Sequence, residues 1–218
     1  MSEINKRVLT SFFLIILCFI ALYNKIILTS LLIFFLFQTF TEFYFILRKL
    51  FNVKNKNKLY FILVFLLFYL LLLVIITWDI FVFEHEDMNL IFFLIVSICI
   101  STDIGGFFFG KIFKGKKLTK ISPNKTYSGL IGSYVLSLLT TTIFFKEYFE
   151  LFDLIISTLV ISTFSQLGDL TISYLKRKAK IKDTGNILPG HGGFLDRFDG
   201  FLLAMPMGYL VYSILWLI

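Results

Sequence analysis

Residues 59–78 read LYFILVFLLFYLLLLVIITW, twenty positions without a single charged side chain. A bilayer hydrocarbon core about 30 Å thick takes about 20 such residues as one helix. Comparable apolar windows lie at 8–23, 27–47, 89–109, 128–145, 151–172 and 200–218, so the expected architecture is all-α with seven spans. Composition agrees with this reading. Of 218 residues, 58% are hydrophobic and 16% charged, against about half and a quarter in an ordinary soluble domain. That excess excludes a water-soluble domain with one core, and it excludes disorder. The 29 Phe and 10 Tyr suit lipid-facing helices and their interfaces, and 3 Pro leave few helices sharply broken. Cys18 and Cys99 lie inside apolar runs and imply no disulfide framework. Lys6 and Arg7 precede a run with no small-x-small cleavage site, so the first helix is expected to be retained. The chain reads as one polytopic membrane domain, 1–218. Its apolar helices run through residue 90, and the chemistry-bearing helices and loops occupy 91–218.

Charge alternates from gap to gap. Lys6 and Arg7, then Arg48 to Lys58, then Lys111 to Lys125, then Lys176 to Arg197 hold 19 of the 21 basic residues. The gaps between them hold only Lys25 and Lys146, and one, Asp79 to Asp87, is acidic. Positive-inside bias puts the N-terminus and the three basic loops in the cytoplasm, and seven spans then put the C-terminus outside. The long basic segments, Lys111–Tyr127 and Lys176–Arg197, exceed what a helix hairpin needs, so function is sought there.

An ionisable side chain at membrane depth is a functional candidate. Glu42, Asp103, Asp153 and Asp169 qualify. Asp153 is read as interfacial, and Glu42 as snorkelling or pairing with Arg48. Asp103 precedes Gly105, Gly106 and Gly110, which fit either a helix-packing seam or a carboxylate facing a cavity. Ser162, Ser165, Asp169, Ser173 and Lys176 recur at intervals of three and four, so they share one helical face. Interhelical hydrogen bonding would explain the serines. A carboxylate in a stripe that opens on a basic loop favours a cavity.

The segment 173–199, SYLKRKAKIKDTGNILPGHGGFLDRFD, is rich in chemistry for a connector. A cationic cluster is followed by Asp183, Gly185, Pro189-Gly190-His191-Gly192-Gly193, and then by Asp196, Arg197 and Asp199. Glycines let backbone amides approach a ligand, and successive N–H groups form anion nests. Asp196 and Asp199 share a face if that stretch is helical. Carboxylates beside Lys and Arg suggest phosphate plus a divalent cation, with Mg²⁺ the natural hard ion. Anchoring to anionic lipid would account for the lysines but not for the glycines and acids. A histidine metal site is not indicated, because His191 has only His85 for company, in an outer loop. The loop from Lys111 to Lys125 can bind head groups or nucleotide phosphates. The chain contains neither a Walker-type phosphate loop nor an esterase nucleophile elbow.

At these residues the sequence resembles the phosphatidate cytidylyltransferase (CDP-diglyceride synthase) family. Ser173, Leu175, Lys176, Arg177, Lys182, Asp183, Gly185, Leu188, Pro189, His191, Gly192, Gly193, Asp196, Arg197 and Asp199 fall in register with its signature. Ser165-Gln166-Leu167-Gly168-Asp169, Asp103-Ile104-Gly105-Gly106-Phe107 and Lys120-Ile121-Ser122-Pro123-Asn124-Lys125-Thr126 are similar to the family as well. After Thr126 the family usually carries Trp-Glu-Gly, where this chain has Tyr127-Ser128-Gly129. The resemblance covers roughly the C-terminal half.

The resemblance implies the reaction of CTP with phosphatidic acid to give CDP-diacylglycerol and pyrophosphate, in phospholipid biosynthesis. It implies Asp169 and Asp196 as Mg²⁺ ligands, with Asp199 as a third or outer carboxylate and a second cation left open. Lys176, Arg177, Lys182 and Arg197 would hold phosphates, and His191, Gly192 and Gly193 would line the nucleotide. Ser173, Asp183, Asp103, Ser122 and Lys125 complete the expected substrate site. Expected partners are CTP, phosphatidic acid and the bilayer, without nucleic acid, and a homodimer stays open. The expected location is the inner (cytoplasmic) membrane, multi-pass, with the active site facing the cytoplasm. Other readings are an enzyme acting on an archaeal ether lipid or a polyprenol, an ion path through Asp103 and Asp169, and a lipid-binding scaffold.

Overall fold

The structure is a computed structural model that describes residues 12–13, 16–17, 19–21, 23–51, 56–82, 86–119, 122, 125–187 and 192–215. Among them are six helices long and apolar enough to cross a membrane. They are α1 (Lys25–Leu50), α2 (Lys56–Val82), α3 (Glu86–Phe113), α4 (Tyr127–Phe145), α5 (Leu151–Lys178) and α6 (Leu195–Leu215). No strand occurs among the described residues, only an isolated bridge between Lys117 and Thr126. The protein is all-α and multi-pass. Half of the first expected span, 8–23, lies outside the described residues; those described within it, 12–13, 16–17, 19–21 and 23, are helical.

The helix ends differ from the apolar windows. α5 runs to Lys178 rather than 172, and α6 starts at Leu195 rather than 200. Hydropathy detects where a helix meets lipid, whereas Leu, Lys and Arg sustain a helix beyond that depth. Ser173, Lys176 and Arg177 are therefore helical, and Asp196, Arg197 and Asp199 lie in the first turns of α6.

The chain divides into two compact units. One comprises 1–85 with 175–198, the other 86–174 with 199–218. In the first unit α1 packs along α2. Asn24 caps α1, its side-chain oxygen accepting from Ile26 N at 3.0 Å and Ile27 N at 3.2 Å. Trp78 Nε1 donates to Thr29 Oγ1 at 3.2 Å. Ile46, Leu70 and Ile80 are fully buried, whereas Phe61, Val64, Phe65 and Phe68 point out of the fold. That outward apolar face on α2 is what a lipid-facing helix presents.

In the second unit α3 packs against α4 at close range. A Cβ at Gly105 would strike the Gly132 carbonyl, and one at Gly132 would strike the Phe109 side chain. The glycines after Asp103 thus form the packing seam, the first of the two readings offered above. Hydrogen bonds between small side chains reinforce the unit. Thr102 Oγ1 donates to Ser162 Oγ at 2.8 Å, and Ser133 Oγ to the Thr102 carbonyl at 2.7 Å. Thr158 Oγ1 donates to Thr141 Oγ1 at 3.0 Å. Ser162, at the head of the expected polar stripe, is therefore interhelical glue. Gly200 of α6 lies against Ser165, and Gly208 against Ile95 and Ile161. Gly132→Val is expected to force α3 from α4 and to cost about 1–3 kcal/mol or more, as overpacking does. A drop in the thermal unfolding midpoint in detergent would register it, and an unchanged midpoint would count against the seam.

Candidate active site

α5 ends in a left-handed turn at Lys180, φ 56°. The Ala179, Lys180 and Ile181 amides donate to the Leu175, Arg177 and Lys176 carbonyls at 2.9, 3.1 and 2.9 Å. This closes the helix in the manner of a Schellman motif, with Lys where Gly is usual. Three residues on, Thr184 is buried.

Asp196, in the first turn of α6, has both oxygens engaged. Oδ1 accepts from Lys176 Nζ at 2.6 Å, and the two side chains are 9% and 13% exposed. Oδ2 accepts from Thr184 N at 2.8 Å, Gly193 N at 3.1 Å and Thr184 Oγ1 at 3.1 Å. Gly193 has no room for a side chain, since a Cβ there would collide with Thr184 Oγ1, Gly185 N and Glu42 Oε2. Gly192 takes φ +83° and its Cα faces Asp183 and Asp196. Lys182, Asp183, Arg177 and Arg197 are exposed. His191 lies outside the described residues.

Glu42 corrects an expectation. It neither snorkels nor pairs with Arg48. It is 3% exposed, and its carboxylate is enclosed by donors. Oε1 accepts from Gln38 Nε2 and Phe194 N, each at 2.8 Å. Oε2 accepts from Leu195 N at 2.8 Å and Thr184 Oγ1 at 2.5 Å. A helix N-terminus offers unpaired N–H groups and positive potential, and Glu42 meets both at the start of α6. The sequence carried one signal, an acid at membrane depth four residues after Gln38. It could not show that the partner lies some 150 residues downstream. Thr184 was missed as well, standing between two signature residues with no charge to mark it.

The second unit gathers another group. Lys125 forms an ion pair with Asp169, whose Oδ1 also accepts from Ser173 Oγ at 3.2 Å. Lys125 belongs to a turn in which its amide donates to the Ser122 carbonyl at 3.1 Å and its carbonyl accepts from Leu118 N at 2.8 Å. Ser122 N donates to Thr119 Oγ1 at 3.1 Å. Thr126 caps α4 through Gly129 N at 3.1 Å. Ser128 accepts from Gly115 N at 3.2 Å, a loop-holding contact where the family usually has an acid. Asp103 lies within the electrostatic reach of Asp169 and Lys125. The Asp199 carbonyl abuts Gly168, the residue before Asp169.

The expected residues thus fall into two groups. Asp103, Ser122, Lys125, Asp169, Ser173 and Asp199 are in the second unit, and Lys176, Arg177, Lys182, Asp183, Gly192, Gly193, Asp196 and Arg197 are in the first. Among the described residues, no three His, Cys, Asp or Glu side chains gather closely enough to hold a metal by themselves. Each group pairs a carboxylate with a lysine, an arrangement suited to phosphate-bearing substrates.

The chain is similar in sequence to known proteins. The chain is 45% identical over 135 residues to a phosphatidate cytidylyltransferase of Bacillus subtilis, covering 60% of this chain and 50% of that one. It is 42% identical over 128 residues to one of Staphylococcus saprophyticus, covering 57% and 49%. It is 45% identical over 119 residues to one of Staphylococcus aureus, covering 53% and 45%. The chain spans about half the length of these relatives in each match. Residues 1–215 match the description of the cytidylyltransferase family, so nearly every residue discussed above falls within the match, and the chain belongs to that family.

Proposed function

We propose that the chain transfers the cytidylyl group of CTP to phosphatidate, giving CDP-diacylglycerol and pyrophosphate at the cytoplasmic face of the inner membrane. The family match carries the reading, and the relatives named phosphatidate cytidylyltransferase supply the substrates. The lipid phosphate oxygen attacks the α-phosphorus of CTP, and the bond to the bridging oxygen of the leaving pyrophosphate breaks. The nucleophile is already anionic, so a strong general base is not needed. The work is positioning and charge stabilisation. Lys125 and Lys176 set ammonium groups beside the phosphates, with Arg177, Lys182 and Arg197 adding exposed positive charge. In the first unit, a cavity of about 360 Å³ lined by Phe43, Leu47, Ile62, Leu66, Leu175 and Lys178 suits an acyl chain beside an anionic head group. The three basic gaps favour a cytoplasmic site.

The donor chemistry also fits Mg²⁺. Asp169 and Asp199 offer hard oxygens, and Mg²⁺ takes one or two protein carboxylates when phosphates and waters complete its shell. These two residues would hold it, and we assign Asp196 first to holding Lys176. When bound, the ion would screen the repulsion between the two phosphates and stabilise the charge on pyrophosphate.

The test uses membranes containing the full chain, labelled CTP, phosphatidate and Mg²⁺. Label is expected in the lipid phase, lost when phosphatidate is omitted or Mg²⁺ is chelated. A folded, inserted protein that moves no label would sink the reading.

A further inference from the structure

We infer that Glu42 and Thr184 are positioning residues for the transfer reaction, locking the Asp196–Lys176 pair from a distant helix. The inference rests on the proposed activity. Its ground is a continuous set of contacts inside the first unit. Thr184 Oγ1 lies 2.5 Å from Glu42 Oε2 and 3.1 Å from Asp196 Oδ2. A hydroxyl has one proton, so the two carboxylates share it, the shorter contact to Glu42 taking the larger part and the longer one to Asp196 the remainder. Backbone amides hold each carboxylate in its place. Glu42 takes those of Phe194 and Leu195, and Asp196 takes those of Thr184 and Gly193. Gln38, one turn before Glu42, fixes the glutamate rotamer at 2.8 Å.

The same face of α1 steadies the segment by packing. Phe194 meets Phe34 and Phe35 edge-on at 5.7 and 5.6 Å, and Phe198 meets Phe35 at 5.3 Å. The start of α6 is thereby pinned to α1. A carboxylate whose oxygens are all engaged cannot rotate unless its partners move, so the Asp196 orientation follows from where Glu42 stands. Lys176 Nζ, held by Asp196 Oδ1, follows in turn. The apolar N-terminal half thus acts on the chemistry, though neither Glu42 nor Thr184 need touch substrate.

The experiment compares full-length wild type with Glu42→Ala, Glu42→Gln, Thr184→Val, Thr184→Ser and the Glu42→Ala/Thr184→Val double variant. Each is reconstituted with phosphatidate, and kcat and KM are expressed per folded protein. Displacing catalytic groups by about an ångström costs up to about a hundredfold. Glu42→Ala and Thr184→Val are therefore expected to lower kcat at least about tenfold, with KM for phosphatidate within about twofold. Thr184→Ser keeps the hydroxyl and is expected to recover most of the rate. The double variant is expected to fall little further than either single, because both act through one carboxylate. Normal kcat per folded molecule in Glu42→Ala and Thr184→Val, or equal loss in Thr184→Ser and Thr184→Val, would overturn the inference. Should Glu42→Ala fail to fold, Glu42→Gln and the Thr184 pair decide. A wild type that transfers nothing defeats the activity itself, which is distinct from an active wild type whose variants match it.

Discussion

Asp196→Asn is expected to lower kcat/KM by at least about a thousandfold, roughly 4 kcal/mol of transition-state stabilisation. The reason is the count of donors around the carboxylate. One oxygen faces the Lys176 ammonium, and the other faces two backbone amides and the Thr184 hydroxyl. Asparagine has one acceptor oxygen. If it turns that oxygen to Lys176, its NH₂ points at the Thr184 and Gly193 N–H groups. If it flips, the NH₂ points at the ammonium. Either way donors confront donors in a site where the side chains are 9% and 13% exposed. Breaking such a pair from one side costs about 3–5 kcal/mol in a buried setting, so a lower unfolding midpoint is expected as well. Folding and chemistry separate in the Lys176→Met/Asp196→Asn chain. It removes the stranded ammonium and is expected to regain part of the stability yet to stay inactive, because the lysine proposed to meet phosphate is gone. Activity within tenfold of wild type in folded Asp196→Asn would remove Asp196 and Lys176 from the mechanism.

Much of this was legible in the sequence, and the reason differs from element to element. The runs that became α1 to α6 were legible because lipid selects for unbroken apolar stretches about 20 residues long. Their ends were not. Residues 173–178 and 195–199 are helical although charged, since backbone hydrogen bonding continues after lipid contact stops. The signature segment stood out because glycines and paired charges are costly in a mere connector. What stayed hidden was long-range. No local pattern tells that Glu42 meets the amides of residues 194 and 195, or that Ser162 bonds Thr102 rather than lining a cavity. The turn at Lys180 was hidden for another reason, since a non-glycine residue there leaves no C-cap signal.

Asp169→Asn separates activity from stability more sharply. The Asp169–Lys125 pair is 30% and 26% exposed at its side chains. Ion pairs of this kind contribute only about 0–1 kcal/mol to folding. Losing the charge should leave the unfolding midpoint nearly unchanged. Transfer is nonetheless expected to fall at least about a thousandfold, the scale set by removing an electrostatic group preorganised for the transition state. The carboxylate lies one residue from Gly168, against which the Asp199 carbonyl packs, and it also accepts from Ser173. Asparagine preserves the Ser173 bond through its carbonyl oxygen but not the negative charge beside Lys125. The reciprocal exchange, Lys125→Asp with Asp169→Lys, sharpens the argument. It restores an ion pair of the same sign product. A purely structural bridge would recover with it, whereas a carboxylate needed at α5 for a cation and an ammonium needed on the loop for phosphate would not. Raising Mg²⁺ should recover part of the Asp169→Asn rate and none of the exchanged chain's. Full activity in the exchanged chain would show that only the pairing matters, and would leave the second unit without a catalytic carboxylate at residue 169.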